Sequence, residues 1–262
     1  MTNPAPLVIA HRGASADAPE NTLAAFSLAA EARADGIEFD VHVASDGVPI
    51  VFHDHDLKRI AGIKSRINRL TSSELAEIDA GSWFNRERPN AYHPAYAGER
   101  IPTLESTLRH LNDYPGELYI EIKNQDEATL LKRAEIVAKL AATSPLAPRV
   151  TVKSFSLPMM SHLAKQFPSL RTAALFQPSW RRFLHSHREL ISLAAHAGVK
   201  EVSVHYSLAV HSLLDEAQKQ NISVVIWTVD SSRWLKIAAS AGIRGIITNH
   251  PAKLLKARDA TH

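Results

Sequence analysis

Short apolar runs, most of them separated by helical patterns, constrain this chain more than any other feature. The runs fall at 7–10, 36–41, 117–122, 149–154, 171–176, 200–204, 223–228 and 243–248. Helical patterns lie at 22–34, 104–112, 127–142, 158–166, 188–197, 210–220 and 232–241. Two of these run into His-Ala-Gly or Ser-Ala-Gly, the glycine stop of a helix C-terminus. Strands that alternate with helices form a parallel sheet. Eight of them in 262 residues predict one α/β domain over 1–262, a (β/α)8 or TIM barrel.

Two segments break the rhythm. The run 49–52 follows Asp46-Gly47 so closely that it must return antiparallel, since a parallel partner needs a crossover. Asp-Gly between apolar runs is a hairpin signal. With Asp46 and Gly47 as a two-residue turn, Ser45 faces Val48 and Asp40 faces His53. Residues 55–100 hold one good helical pattern, 72–79, amid Gly, Pro, Asn, Tyr and Arg. They follow His53, so they are expected as a small insertion capping the C-terminal mouth, with Trp83-Phe84 able to close it from above.

The charged strand ends carry the chemistry. In Gly36-Ile37-Glu38-Phe39-Asp40-Val41, Glu38 and Asp40 are two residues apart and project to one side. Paired carboxylates repel and are costly to bury, and a hard divalent cation relieves both problems. Leu118-Tyr119-Ile120-Glu121-Ile122-Lys123 puts Glu121 and Lys123 on one face, and Val8-Ile9-Ala10 ends in His11-Arg12-Gly13. Strand C-termini converge at the mouth of a barrel, so these groups meet. Glu38, Asp40 and Glu121 are thus the expected ligands of Mg²⁺ or Ca²⁺.

Composition excludes other classes. A net charge of +3, with no basic run interleaved with aromatics, gives no sign of a nucleic-acid partner. No cysteine is present, so thiolate zinc sites and catalytic thiols are excluded. No apolar stretch is long enough to span a bilayer, and the first residues lack the pattern of a secretory leader. A cytoplasmic protein without stable membrane anchoring is expected; composition leaves its oligomeric state open.

Taken in order, His11-Arg12-Gly13, Pro19-Glu20-Asn21-Thr22, Glu38-Phe39-Asp40, His53-Asp54 and Glu121-Ile122-Lys123 resemble the signature of the glycerophosphodiester phosphodiesterases. Asp79–Phe84, Ile101-Pro102-Thr103-Leu104, Ser154-Phe155, Trp227-Thr228-Val229 and Ile246-Ile247-Thr248-Asn249 continue the resemblance over nearly the whole chain. It is nearest to the short bacterial cytosolic members. The resemblance implies a small-molecule phosphodiester substrate, hydrolysed to glycerol 3-phosphate and an alcohol. It supports His11 and His53 as the acid and base, and Arg12 and Lys123 as phosphate clamps. Which histidine is which stays open.

Phe155, His205 and Trp227 end or follow strands and are candidates to line the substrate pocket. Asn21-Thr22 caps a helix, with a second role at the mouth open to Asn21, and Asp54 is placed to orient a histidine. His42 also could face the mouth. His110, His162, His185, His187, His196 and His262 fall in helical or terminal patterns and read as ordinary surface residues. Two rivals remain. A lysophospholipase D would want an apolar insertion, which the Asn, Arg, Pro and Glu of 85–100 disfavour. A non-catalytic barrel would lack a histidine or carboxylate, and none is missing.

Overall fold

The structure is a computed structural model and describes residues 4–124, 129–179 and 186–260. Its strands are β1 (Leu7–His11), β2 (Gly36–Val43), β3 (Pro49–Val51), β4 (Glu117–Ile122), β5 (Val150–Ser154), β6 (Arg171–Phe176), β7 (Glu201–His205), β8 (Ser223–Trp227) and β9 (Gly245–Thr248). All but β3 form a ring in the order β1-β9-β8-β7-β6-β5-β4-β2, and β1 pairs with β2 to close it. Every pair in the ring is parallel, which makes a TIM barrel. Each of the expected strands is present, with its ends moved by no more than 2 residues.

The seven expected helices are also present. The expected start of one at Glu127 lies outside the described residues, as do His185 and His262. Thr22, Thr103, Ser156 and Ser186 cap four of the helices, each side-chain oxygen accepting a first-turn amide. Gly198 (φ 78) and Gly242 (φ 68) take the left-handed conformation just past helix ends, as their Ala-Gly context implied. A further helix, Pro251–Asp259, opens on proline and packs against β1. Among the described residues, no helix is long and apolar enough to cross a membrane.

Strand alternation sorts the barrel into layers. Val8, Ala10, Ile37, Phe39 and Val41 face outward into the helix-packed core, where the rings of Phe26 and Phe39 lie 5.4 Å apart. Ile9, Tyr119, Val225 and Ile247 fill the interior. Below them Arg244 donates to Glu117 (2.6 Å) and to the Tyr119 hydroxyl, Arg171 also reaches Glu117 (2.9 Å), and Glu201 lies 3.4 Å from Arg244.

Burial pushes the Glu201 carboxyl up to about 7, and Arg244 only partly counters that. The folded state therefore binds a proton that the unfolded chain has already released, so stability falls as pH rises from about 4.5 through 7. Thermal melts from pH 5 to 8 should show this loss, worth at most a few kcal/mol, at about 1.4 kcal/mol per pKa unit. Glu201→Gln should flatten the dependence. An identical slope in the variant would assign it to other groups.

The hairpin differs from expectation. β3 is antiparallel to β2, but the register pairs Val41 with Val51, His42 with Ile50 and Val43 with Pro49. Opposed positions sum to 92, one less than a two-residue turn requires. Ala44 then donates to Val48 O (2.9 Å), leaving Ser45, Asp46 and Gly47 in a three-residue loop. Only Gly47 (φ 85) is left-handed, as in a turn closed by a glycine bulge, whereas the two-residue turn needs positive φ twice. The Asp46 carboxylate is engaged elsewhere, accepting from the Ser72 amide (2.9 Å) and hydroxyl (2.7 Å). Asp40 O consequently accepts from Phe52 N (3.0 Å), not from His53.

Residues 55–100 contain three short α-helices, Lys58–Ala61, Ser72–Ala76 and Ser82–Glu87, with 3-10 turns between and after them. Leu57, Ile60, Ile67 and Leu75 build a small core of their own with Ile50 and Phe52. Phe84 is buried, edge-on to Trp83 and Tyr96, so it packs this segment together. The segment is tied to the loop after β1. Arg88 donates to Ala16 O (3.2 Å) and the Tyr96 hydroxyl to Asp17 O (2.9 Å).

Candidate active site

β2 and β4 are neighbours, and their register sets Asp40 beside Glu121. One oxygen from each of Glu38, Asp40 and Glu121 lies within 4.8 Å of the others, and all three residues are buried. An all-carboxylate donor set suits a hard cation such as Mg²⁺ or Ca²⁺, and the residues fit that group.

Cations surround the triad. Lys123 Nζ bridges Asp40 Oδ1 (2.8 Å) and Glu121 Oε1 (2.5 Å). Arg12 Nε lies 3.2 Å from Asp40 Oδ2, and its other end donates to Glu20 Oε1 (2.8 Å). Asn21 donates to Asp40 Oδ2 (2.9 Å) and accepts the Asp40 amide (3.2 Å). Burial alone would raise the Asp40 pKa, but Lys123 and Arg12 outweigh it and hold the carboxyl well below its usual range. Burial likewise opposes the Lys123 charge, and Asp40 and Glu121 more than restore it.

The turn after β1 explains how Arg12 gets there. Arg12 (φ 57) and Gly13 (φ 79) are both left-handed and fold the chain back onto the following helix. A Cβ on Gly13 would lie 2.6 Å from the Ala25 carbonyl carbon, so only glycine fits.

His11 Nε2 lies 4.0 Å from Glu38 Oε2, and its Nδ1 lies 2.7 Å from Asn249 Oδ1. The Asn249 amide nitrogen donates to Asp230 Oδ2 (2.9 Å). An ionised carboxylate only accepts, so Asn249 must turn its oxygen to His11. His11 therefore donates from Nδ1, and its Nε2 lone pair faces the carboxylates. Burial lowers the His11 pKa despite Glu38, which favours the neutral ring.

His53 Nδ1 lies 2.7 Å from Asp54 Oδ1, which fixes that ring the same way. Asp54 in turn accepts from Arg59 (2.7 Å), and Arg59 reaches Glu20 (2.6 Å), which links this histidine's support back to Arg12. Despite the shifted register, His53 stays close enough for its charge to lower the Asp40 pKa. The ladder ends at Val51, so alternation no longer dictates the direction of His53. His42 is buried and donates from Nε2 to His53 O (3.0 Å). Its pKa is lowered to about 4 by burial, so it is a neutral strut beneath that loop.

Phe155, His205 and Trp227 gather at the ends of β5, β7 and β8. The Trp227 ring meets Phe155 (5.9 Å, 87°) and His205 (5.4 Å, 83°) edge-on, and its indole N–H donates to Ser203 O (3.1 Å). All three are partly exposed and form one aromatic wall.

Sequence reasoning passed over Lys153, Asn249, Asp230 and Arg59 as site residues. Lys153 lies on β5, and its Nζ is 3.1 Å from Glu38 Oε1. A lysine inside Val150–Ser154, on a strand otherwise fit for burial, was the available signal. Asn249 ends an apolar run as His11 and Asp40 do. Asp230 and Arg59 act through other residues and leave no spacing to read.

Residues 11–253 match the model of the glycerophosphoryl diester phosphodiesterase family. The chain is 31% identical over 251 residues to a glycerophosphodiester phosphodiesterase of Caldanaerobacter subterraneus subsp. tengcongensis, covering 95% of this chain and 96% of that one. It is 27% identical to a glycerophosphodiester phosphodiesterase of Bacillus subtilis, over 94% and 84% of the two chains. Among solved structures, a phosphodiesterase of Oleispira antarctica in complex with the product sn-glycerol-3-phosphate superimposes with a TM-score of 0.82 at 25% identity, over 97% of both chains. With a buried carboxylate triad flanked by an arginine, a lysine and a histidine, and the family model matched over nearly its whole length, the chain belongs to the glycerophosphoryl diester phosphodiesterase family.

Proposed function

We propose that Glu38, Asp40 and Glu121 hold one divalent cation, Mg²⁺ or Ca²⁺, and that His11 and His53 move the protons of phosphodiester hydrolysis around it. Family membership makes the protein a hydrolase of glycerophosphodiesters that releases glycerol 3-phosphate and an alcohol. One observation carries the residue roles: a buried carboxylate triad with an arginine and a lysine on Asp40 and a histidine beside Glu38. A hard cation held there would supply Lewis acidity to a phosphate oxygen. Arg12 offers its planar fork to a second oxygen, and Lys123 its point charge.

His11, neutral and with Nε2 free, takes the proton of the attacking hydroxyl. His53, oriented by Asp54, gives one to the leaving alkoxide. Attack by the glycerol 2-hydroxyl and attack by water make the same demands on these two rings. The wall of Phe155, His205 and Trp227 would flank the glycerol carbons. Residues 55–100 would cap the mouth, supported by their ties to the loop that carries Arg12 and Glu20. A cytoplasmic location goes with this reading, and cell fractionation tests it.

The test is a panel of glycerophosphodiesters and lysophospholipids assayed with chelator, Mg²⁺ or Ca²⁺. Turnover of glycerophosphodiesters should vanish with chelator and return with a hard dication. Full activity in excess chelator, with no metal in the purified protein, would refute the metal site. Faster turnover of lysophospholipids would shift the substrate class.

A further inference from the structure

The two oxygens of Glu38 have different neighbours. Oε1 lies 3.1 Å from Lys153 Nζ. Oε2 accepts the Arg12 amide (3.2 Å) and faces His11 Nε2 (4.0 Å). Lys153 and Glu38 are almost fully buried, with side chains 3% and 1% exposed, so water cannot take the place of either partner. β5 is neighbour to β4, and the register sets Lys153 beside Glu121, on the level of the triad. No step of the hydrolysis uses this lysine, yet a buried ammonium is costly and persists only for its partner.

We propose that Lys153 is a specificity-determining residue for the cation: it occupies one oxygen of Glu38 and so holds that carboxylate to a single ligand oxygen. This rests on the reading of Glu38 as a ligand. Denticity matters because Ca²⁺ takes six to eight oxygens and uses bidentate carboxylates, whereas Mg²⁺ demands a compact octahedron. A Glu38 held to one oxygen favours the smaller, six-coordinate ion. Freed from Lys153, Glu38 can offer both oxygens, and Ca²⁺ gains more than Mg²⁺. The loss of one positive charge strengthens binding of both dications, so the ratio of the two affinities, rather than either one, reports denticity.

Calorimetric titration of the metal-free protein with Mg²⁺ and with Ca²⁺ reads this without turnover. Wild type, Lys153→Met, Lys153→Gln and Glu38→Gln are compared. The Met variant keeps the volume, and the Gln variant is the milder change should Met not fold. The Ca²⁺:Mg²⁺ affinity ratio should rise about 10-fold in the Lys153 variants, the scale on which partners of metal ligands act. Their melting temperatures should also rise more on adding Ca²⁺ than that of the wild type, because the cation then compensates a carboxylate left unpaired. An unchanged ratio in the folded Lys153 variants, with normal wild-type binding that Glu38→Gln abolishes, would overturn the assignment of Lys153 alone. Wild-type protein that binds neither cation, or Glu38→Gln that binds both as well as wild type, would overturn the ligand reading and this inference with it.

Discussion

Asp40→Asn should lower turnover by about 10²–10³-fold or more, the scale of removing one preorganised charge contact from a transition state. The change is isosteric, so packing stays. What goes is the negative charge that Lys123, Arg12 and Asn21 all address. Three effects then coincide. The proposed cation loses a ligand charge. Lys123 keeps Glu121, and Arg12 keeps Glu20, but each loses its shared anchor. Asn21 meets an amide where it had a carboxylate. Truncating one partner of a buried charge cluster costs about 3–5 kcal/mol, so the melting temperature should fall too. Glu121→Gln is the comparison: Glu121 contacts Lys123 but not Arg12, and it should cost activity with a smaller loss of stability. Kinetics and melts of both variants, each with and without added dication, check this. If Asp40→Asn retained near-wild-type turnover, the central role of Asp40 would be wrong.

The barrel was legible because its strands are short, apolar and spaced by helical patterns, and because glycines and hydroxyl caps punctuate the helices. The triad was legible for a related reason. A strand that carries Glu38-Phe39-Asp40 must put both acids on one side, and the parallel register then brings Glu121 to them. The hairpin register was misread since the turn is set by a contact distant in sequence: Asp46 binds Ser72, and a local reading of Asp-Gly sees only the shorter turn. β3 ends early, at Val51, and His42 holds the His53 carbonyl, so the loop and not the ladder sets where His53 lies. Lys153 was passed over for the opposite reason to Asp40. A single charge in an apolar run, with no partner two residues away, shows its meaning only once β2 stands across from β5. The helix Pro251–Asp259 announces itself by its proline, but its pattern is too polar to stand out.

The histidines give the second large effect. His11→Ala and His53→Ala should each reduce kcat by about 10²–10⁴-fold, the usual worth of positioned proton transfer, with smaller changes in KM. The leaving group separates the two roles. A diester that releases a stable phenolate such as p-nitrophenolate needs little help from an acid. His53→Ala should therefore recover much of its rate on that substrate, while His11→Ala should not. The reverse pattern would exchange the assignments. pH adds an independent reading. His11 must be neutral to accept a proton, and burial lowers its pKa from the ordinary 6.5. The acid limb of kcat/KM should thus lie below about 6.5. The tautomer rests on Asp230, which accepts from the Asn249 side-chain and backbone amides and so forces the Asn249 oxygen toward His11. Asp230→Ala removes that constraint. It leaves His11 and every proposed metal ligand in place, yet it lets the Asn249 amide turn its nitrogen to the ring. The ring would then have to accept at Nδ1 and carry its proton on Nε2, the wrong atom for a base. Turnover should fall in this variant with cation affinity unchanged. Wild-type turnover in Asp230→Ala would show that His11 does not depend on this relay for its proton.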